Sequence, residues 1–344
     1  MYVNKIISNN IGYLILNRTK KLNALNIDMI RELREKYCDF IKNDNVKIIV
    51  LKGNNNKNFC AGGDIVTLYK EYIINNNSPM FFFEEEFELD YLLFNSKKPI
   101  ISFISGITMG GGVGLSITSS IVVADDTTKW AMPETRLGMI PDVGVGYYFS
   151  KIEKPLALYI SLLGNILFGS DLTKLNIADF YIKNSSIRNI EIELEQFDFK
   201  NLSFDEMVFN AKHIISKYKI KEDYIDLSIS SDKINNHFDK NELSDIFNSL
   251  KEGNDKFSID TLNELNNKCP LSLQMTFLKY FKCKNISILD TYMLDLKLLK
   301  YCYEIGNMKE GIRGVMIDKE YIPAFKPHSY KEVNIKLIDK LLKI

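Results

Sequence analysis

Two acids stand where a carboxylate is costly. Glu134 follows a proline in Ala131-Met132-Pro133-Glu134-Thr135, and Asp142 does the same in Gly138-Met139-Ile140-Pro141-Asp142-Val143-Gly144. A carboxyl group among apolar neighbours holds its proton more tightly and can serve as acid, base or nucleophile. Pro-Glu and Pro-Asp also mark helix N-termini, where an acid complements the dipole. Spacing alone leaves both readings open. Two glycine-bearing strings could supply a second function: Cys60-Ala61-Gly62-Gly63-Asp64 and Gly106-Ile107-Thr108-Met109-Gly110-Gly111-Gly112-Val113-Gly114. Glycine lets a backbone approach a ligand closely, and amides at a helix start point outward with partial positive charge. One amide from each loop, converging on a single oxygen, would make an oxyanion hole. The plainer alternative is that these glycines only let helices lie close against strands.

Other chemistry finds little support. Gly164 and Gly169 have phosphate-loop spacing, but Ser170 stands where the lysine belongs, and neither glycine loop reads GxGxxG. There is no GxSxG elbow. Cys60 lies in a glycine loop without a histidine partner evident in the sequence. His213, His237 and His328 are far apart and lack HExxH spacing, so no metal site is expected. The five cysteines are scattered and odd in number, which suits a reducing compartment better than a disulfide framework. Lys plus Arg (44) equals Asp plus Glu (44), so the whole chain has no electrostatic reason to seek nucleic acid or an anionic membrane. No apolar run approaches the ~18 residues of a membrane span.

These groups need elements to carry them. Two apolar stretches around Asn9-Asn10-Ile11-Gly12 read as a hairpin over 2–16. Asn26 is placed to cap a helix reaching about Lys42, with Ile30, Leu33, Tyr37 and Phe40 or Ile41 on one face. Val46 to Leu51 reads as a strand, 79–95 as a helix, Ile100 to Ser105 as a buried strand and Ser120 to Ala124 as another. Repetition of strand, glycine loop and helix predicts an α/β layered core over 1–184. From about 185 the texture becomes helical, with amphipathic segments at 203–218, 258–267, 271–283 and 286–306. The stretch from Lys183 to Asp260 is the least informative. Met1 to Ile7 reads as the start of a strand, without the Arg-rich amphipathic character of a targeting segment.

Asn23-Ala24-Leu25-Asn26, Phe59-Cys60-Ala61-Gly62-Gly63-Asp64-Ile65 and Gly110-Gly111-Gly112 resemble the enoyl-CoA hydratase/isomerase, or crotonase, superfamily. A narrower resemblance is to its branch that hydrolyses 3-hydroxyisobutyryl-CoA, a step of valine breakdown. It rests on Gly106 to Leu115, Ala131 to Thr135, Pro141 to Gly144, and Glu310-Gly311-Ile312-Arg313 with Ile317-Asp318-Lys319. The resemblance implies a crotonase-like spiral of repeated ββα units over 1–184, holding the acyl-CoA site, and a mainly helical region over 185–344. By position it implies backbone N–H groups of Gly63 and Gly111 around the thioester carbonyl, Glu134 as catalytic carboxylate, Asp142 as second acid and Glu86 as a substrate-binding acid. Hydratases of the superfamily carry a second catalytic glutamate three residues after the oxyanion glycine. Here that position is Gly114, which favours thioester hydrolysis over water addition to a double bond. Another short-chain acyl-CoA hydrolase, a hydratase- or isomerase-type lyase and a non-catalytic acyl-CoA-binding protein are the alternatives. No cofactor is expected, since CoA is part of the substrate, and no nucleic-acid or membrane partner; the superfamily often forms homo-oligomers. A mitochondrial setting is implied by the resemblance, with cytoplasm as the alternative. Val145 departs from a usual glycine and is expected to narrow the acyl pocket. Phe325 replaces a common tryptophan and keeps an aromatic surface.

Overall fold

The structure is a computed structural model that describes residues 1–220, 231–319 and 323–343. Nine strands occur among these residues: β1 (Val3–Ser8), β2 (Ile11–Leu16), β3 (Ile48–Gly53), β4 (Ile100–Phe103), β5 (Ile107–Met109), β6 (Ile121–Asp125), β7 (Lys129–Ala131), β8 (Leu167–Phe168) and β9 (Phe180–Ile182). They make a six-stranded sheet in the order β1-β2-β3-β4-β6-β9 and a three-stranded sheet in the order β5-β7-β8. The β1–β2 hairpin is antiparallel, with Ser8 opposite Ile11, and Asn9 turns the chain at φ 50°. Every later pairing in the large sheet is parallel. The chain visits the two sheets alternately, β4 then β5, β6 then β7, and the helix Gly111–Ile117 follows β5. This is a strand–strand–helix repeat.

The described chain divides into two compact units interleaved in sequence: Met1–Gly63, Glu85–Trp130 and Ile166–Ser228 form one, and Asp64–Glu84, Ala131–Asn165 and Ile229–Ile344 the other. The sequence texture pointed instead to consecutive regions meeting at 184/185. In the first, the sheet unit, Ile48, Val50, Ile101, Phe103, Ile121 and Val123 project from the sheet into a fully buried cluster. Helices Ile187–Gln196 and Phe204–Ser216 cover that face with Ile187, Ile190, Leu194, Ala211, Ile214 and Ile215. Unbranched alternation is absent from β3, β4 and β6 because strands buried on both faces read as continuous apolar runs.

The second, helical, unit is built largely from Lys154–Leu163, Leu243–Glu252, Lys256–Asn266, Pro270–Cys283, Ile288–Glu304 and Asn307–Ile312. Local chemistry fixes their starts. Pro270 opens its helix, where a missing N–H costs nothing. Asp255 accepts from Ser258 N at 3.0 Å. Ser287 and Asp290 form a reciprocal capping box, with Oγ accepting from Asp290 N at 3.1 Å.

Candidate active site

In the sheet unit, three segments run side by side under the glycine loops. Cys60 N donates to Ile107 O and Met109 N to Cys60 O, each at 3.0 Å, so Cys60 bridges Thr108 in parallel register. Leu25 N donates to Gly62 O at 2.7 Å, and Leu25 bridges Gly63. Asn23 secures the outer segment: its Oδ1 accepts from Arg18 N and its Nδ2 donates to Asn58 O, both at 2.8 Å. Asn26 then caps the helix Ile27–Lys42 by accepting from Met29 N at 3.0 Å. The string Asn23 to Asn26 is thus a structural clasp on the glycine loop.

A Cβ on Gly62, the residue before Gly63, would lie 3.4 Å from Gly111 N, so the two glycine loops approach each other closely there. Gly111 opens the helix Gly111–Ile117, so its amide belongs to the first turn, which has no intrahelical acceptor. Glu86, on the helix Met80–Phe94, reaches this helix start. A Cβ on Gly111 would lie 2.0 Å from Glu86 Oε1. A methyl group at Gly111 would force that carboxyl group to move. Asp90, one turn further on, is fully buried and was not singled out from sequence. Its signal was an i, i+4 acid pair on a helix otherwise rich in Phe and Leu. Cys60 is buried near both acids, and burial pushes its thiol up to about 12. It stays protonated at neutral pH, unlike a catalytic thiolate.

In the helical unit, Glu134 begins a single 3-10 turn, Glu134–Leu137, and Asp142 lies in the loop before the helix Val145–Phe149. Both carboxyl groups are buried, at 6% and 5% exposure. Burial raises the proton affinity of Glu134 well above the usual carboxylate range, and the neighbouring charge of Asp142 raises it further. Asp142 is pushed up to about 7 by burial and by Asp295. Glu134 Oε2 has no hydrogen-bond partner among the described residues. The turn that carries Glu134 is seated by the helix Asn307–Ile312. Gly311 lies so close that a Cβ there would be 2.2 Å from Leu137 C and O. The string Glu310 to Arg313 therefore supports the acid from behind. Phe325 packs at the same turn, where a Cβ on Gly138 would meet it at 3.1 Å. Val145 is fully buried, its N donating to Asp142 O at 2.9 Å.

Sequence reasoning missed Lys279 and Asp295. They form an ion pair buried to 2% and 0% exposure. Lys279 Nζ also donates to Pro141 O at 2.6 Å, and Asp295 Oδ2 accepts from Gly144 N at 3.0 Å. A signal existed. Lys279 sits in the i, i+4 row Leu271, Met275, Lys279, Cys283, which is otherwise apolar and buried. No group of three or more His, Cys, Asp or Glu side chains able to hold a metal occurs among the described residues. His237, for its part, is engaged by Ser249 Oγ at 2.9 Å and Ser258 Oγ at 3.2 Å. Among the described residues no helix is long and apolar enough to cross a membrane.

Known proteins are similar to this chain over most of its length. Two solved structures cover 100% of the chain: a carnitinyl-CoA dehydratase from Mycobacterium thermoresistibile (TM-score 0.86, 24% identity, 96% of that chain) and an enoyl-CoA hydratase from Rhodobacter sphaeroides 2.4.1 (TM-score 0.87, 23% identity, 97% of that chain). At that identity they show the fold, which is the crotonase fold. Proteins named "3-hydroxyisobutyryl-CoA hydrolase, mitochondrial" are more similar in sequence. Those of Xenopus laevis, Homo sapiens and Gallus gallus are 34%, 32% and 31% identical over 95%, 94% and 96% of this chain, and the matches cover 85%, 83% and 86% of those proteins. The family model described as enoyl-CoA hydratase/isomerase matches residues 11–342. The chain belongs to the enoyl-CoA hydratase/isomerase family.

Proposed function

We propose that this protein hydrolyses the thioester of 3-hydroxyisobutyryl-CoA, releasing 3-hydroxyisobutyrate and CoA. Support comes from the relatives bearing that name at 31–34% identity over most of the chain. The observation that carries the reading is the pair of buried carboxyl groups, Glu134 and Asp142, both with raised proton affinity. Gly114 is fully buried in the helix Gly111–Ile117 and brings no carboxylate to the position where a hydratase would need one.

In the proposed reaction the amides of Gly63 and Gly111 take up the negative charge that develops on the carbonyl oxygen. One such donor is worth ~3–4 kcal/mol in the transition state. Glu134 either attacks the carbonyl carbon, forming a mixed anhydride that water then opens, or takes a proton from an attacking water. Either way the C–S bond breaks, CoA leaves as a thiol, and one water is consumed. A carboxylate of raised proton affinity is the better base for that step. Asp142 positions the substrate hydroxyl or assists proton transfer, and Glu86 contributes to substrate binding. The deciding experiment is thiol release over a panel of short branched 3-hydroxyacyl-CoAs and unsubstituted acyl-CoAs, beside crotonyl-CoA hydration. Fastest release from 3-hydroxyisobutyryl-CoA is expected. Hydration without thiol release would replace this reading with the lyase, and binding without either would leave a non-catalytic acyl-CoA binder. A mitochondrial setting is proposed on the relatives' names, and imaging of a tagged full-length chain tests it.

A further inference from the structure

We infer that Lys279 and Asp295 are positioning residues: their buried ion pair grips the loop 141–144 at both ends and holds Asp142 in its working orientation. The inference deepens the proposed hydrolysis and rests on that reading for its kinetic arm. The geometry is a clamp. Lys279 Nζ donates to Pro141 O at 2.6 Å, just before Asp142, and Gly144 N donates to Asp295 Oδ2 at 3.0 Å, just after Val143. Lys279 and Asp295 come from two different helices, Pro270–Cys283 and Ile288–Glu304, and pair with each other.

The loop needs holding. Val143 stands at φ 49° and Gly144 at φ 72°. A β-branched residue in the left-handed region is an outlier that persists only where its surroundings enforce it. Two charge-assisted hydrogen bonds on the flanking peptide groups are such an enforcement. Simple stability explains the pair poorly, because apolar residues of similar volume usually serve a buried site as well or better. The groups that face Asp142 from the packed elements are Glu134, Lys279, Asp295 and the Cys302 thiol. Cys283 lies beside Lys279. Of these, Asp295 raises the proton affinity of Asp142 and Lys279 lowers it.

The test uses the full chain with Lys279→Met, Lys279→Arg, Asp295→Asn and the double variant Lys279→Met/Asp295→Leu. Amide hydrogen exchange over peptides spanning 141–149 reads loop fixation without reference to substrate. Thiol release from 3-hydroxyisobutyryl-CoA against pH reads its consequence. Exchange is expected to quicken in both the double variant and Lys279→Met. A misplaced Asp142 should lower kcat/KM by roughly 100-fold, and Lys279→Arg should restore it to within about tenfold of wild type. The limb of the pH profile belonging to Asp142 should move up in Lys279→Met and down in Asp295→Asn, opposite shifts that a purely structural pair would not give. Folded variants whose loop exchange stays at the wild-type rate overturn the inference, as does unchanged kcat/KM with an unmoved pH limb. If Lys279→Met fails to fold, Lys279→Arg and Asp295→Asn decide by the same readouts. Should the wild type release no thiol, the proposed hydrolysis fails, and the exchange arm still decides whether the pair fixes the loop.

Discussion

At the scale of single residues, the structure turns a suspicion about two acids into an electrostatic statement. Proline before each acid and apolar neighbours around it were legible in the chain, and burial of both carboxyl groups follows from that setting. Their mutual influence was not legible, because it depends on how the turn at 134 and the loop at 142 fold back on one another. Glu134→Gln keeps the shape of the side chain and removes its basicity. We expect acyl-CoA binding within a few-fold of wild type and turnover reduced by roughly 10²–10⁴-fold, the usual worth of a general acid or base. Calorimetry and single-turnover thiol release measure the two effects. Asp142 makes a prediction about stability. Its proton is held until about pH 7 in the folded chain and lost near ~3.9 in an unfolded one. Protonation therefore favours the folded state. The contribution is fully present below about pH 4 and is lost as pH rises through about 7. Asp142→Asn should consequently raise the urea midpoint more at pH 7.5 than at pH 5. An equal effect at both values would show that Asp142 does not titrate differently on folding.

At the scale of elements, the sequence was most readable where two local signals coincided. Asn26 and the stripe Ile30, Leu33, Tyr37, Phe40 place the helix Ile27–Lys42 almost to the residue. The helix Met80–Phe94 and strands β3, β4 and β6 also lie within a few residues of their expected places. Strands β5, β7 and β8 escaped because two or three residues are too few for alternation to register. Without them the glycine loop at 106–114 reads as a direct run from strand to helix, when a second strand lies inside it. The string Glu310 to Arg313 was noticed as a match, yet its physical task appears only in the packing. Gly311 lets a helix lie against the turn that presents Glu134. Gly311→Ala would force a methyl group to within 2.2 Å of Leu137 main-chain atoms. Overpacking of this kind costs typically ~1–3 kcal/mol, and here the displaced turn bears the proposed catalytic acid. Turnover should fall more than tenfold while the protein still melts cooperatively. Gly306→Asn is the matched control: that residue has φ 87° and open space around its Cα, and asparagine tolerates left-handed backbone. Its turnover should stay near wild type. Equal losses in both variants would remove the special role of the 307–312 helix.

At the scale of the whole molecule, the least informative stretch of sequence holds an indispensable layer. Residues 185–216 carry helices without motif residues, so nothing in them marks a site. Yet Ile187, Ile190, Leu194 and Phe199 are fully buried against Ile48, Val50, Ile101 and Val123 of the large sheet. A parallel sheet must be covered on its faces, because its strands are apolar on both sides. The sequence showed most strands of the large sheet and the helix at 203–218, but marked neither β9 nor the helix Ile187–Gln196. It did not show that the chain returns from β9 to cover them, since that pairing is made by distant residues and leaves only ordinary amphipathic spacing behind. Phe199 provides the test. Replacing a fully buried Phe by Ala typically costs ~3–5 kcal/mol, and the buried cluster that holds Phe199 includes none of the residues proposed to act on substrate. In Phe199→Ala, amide exchange should accelerate in peptides covering β3, β4 and β6, where protection reports the stability of the sheet. Thiol release below the melting temperature should keep its kcat. If exchange in those strands were unchanged, the helices from 187 to 216 would be an appendage to the sheet. If kcat fell sharply with the fold intact, this layer would take part in shaping the active site, beyond supporting the sheet beneath it.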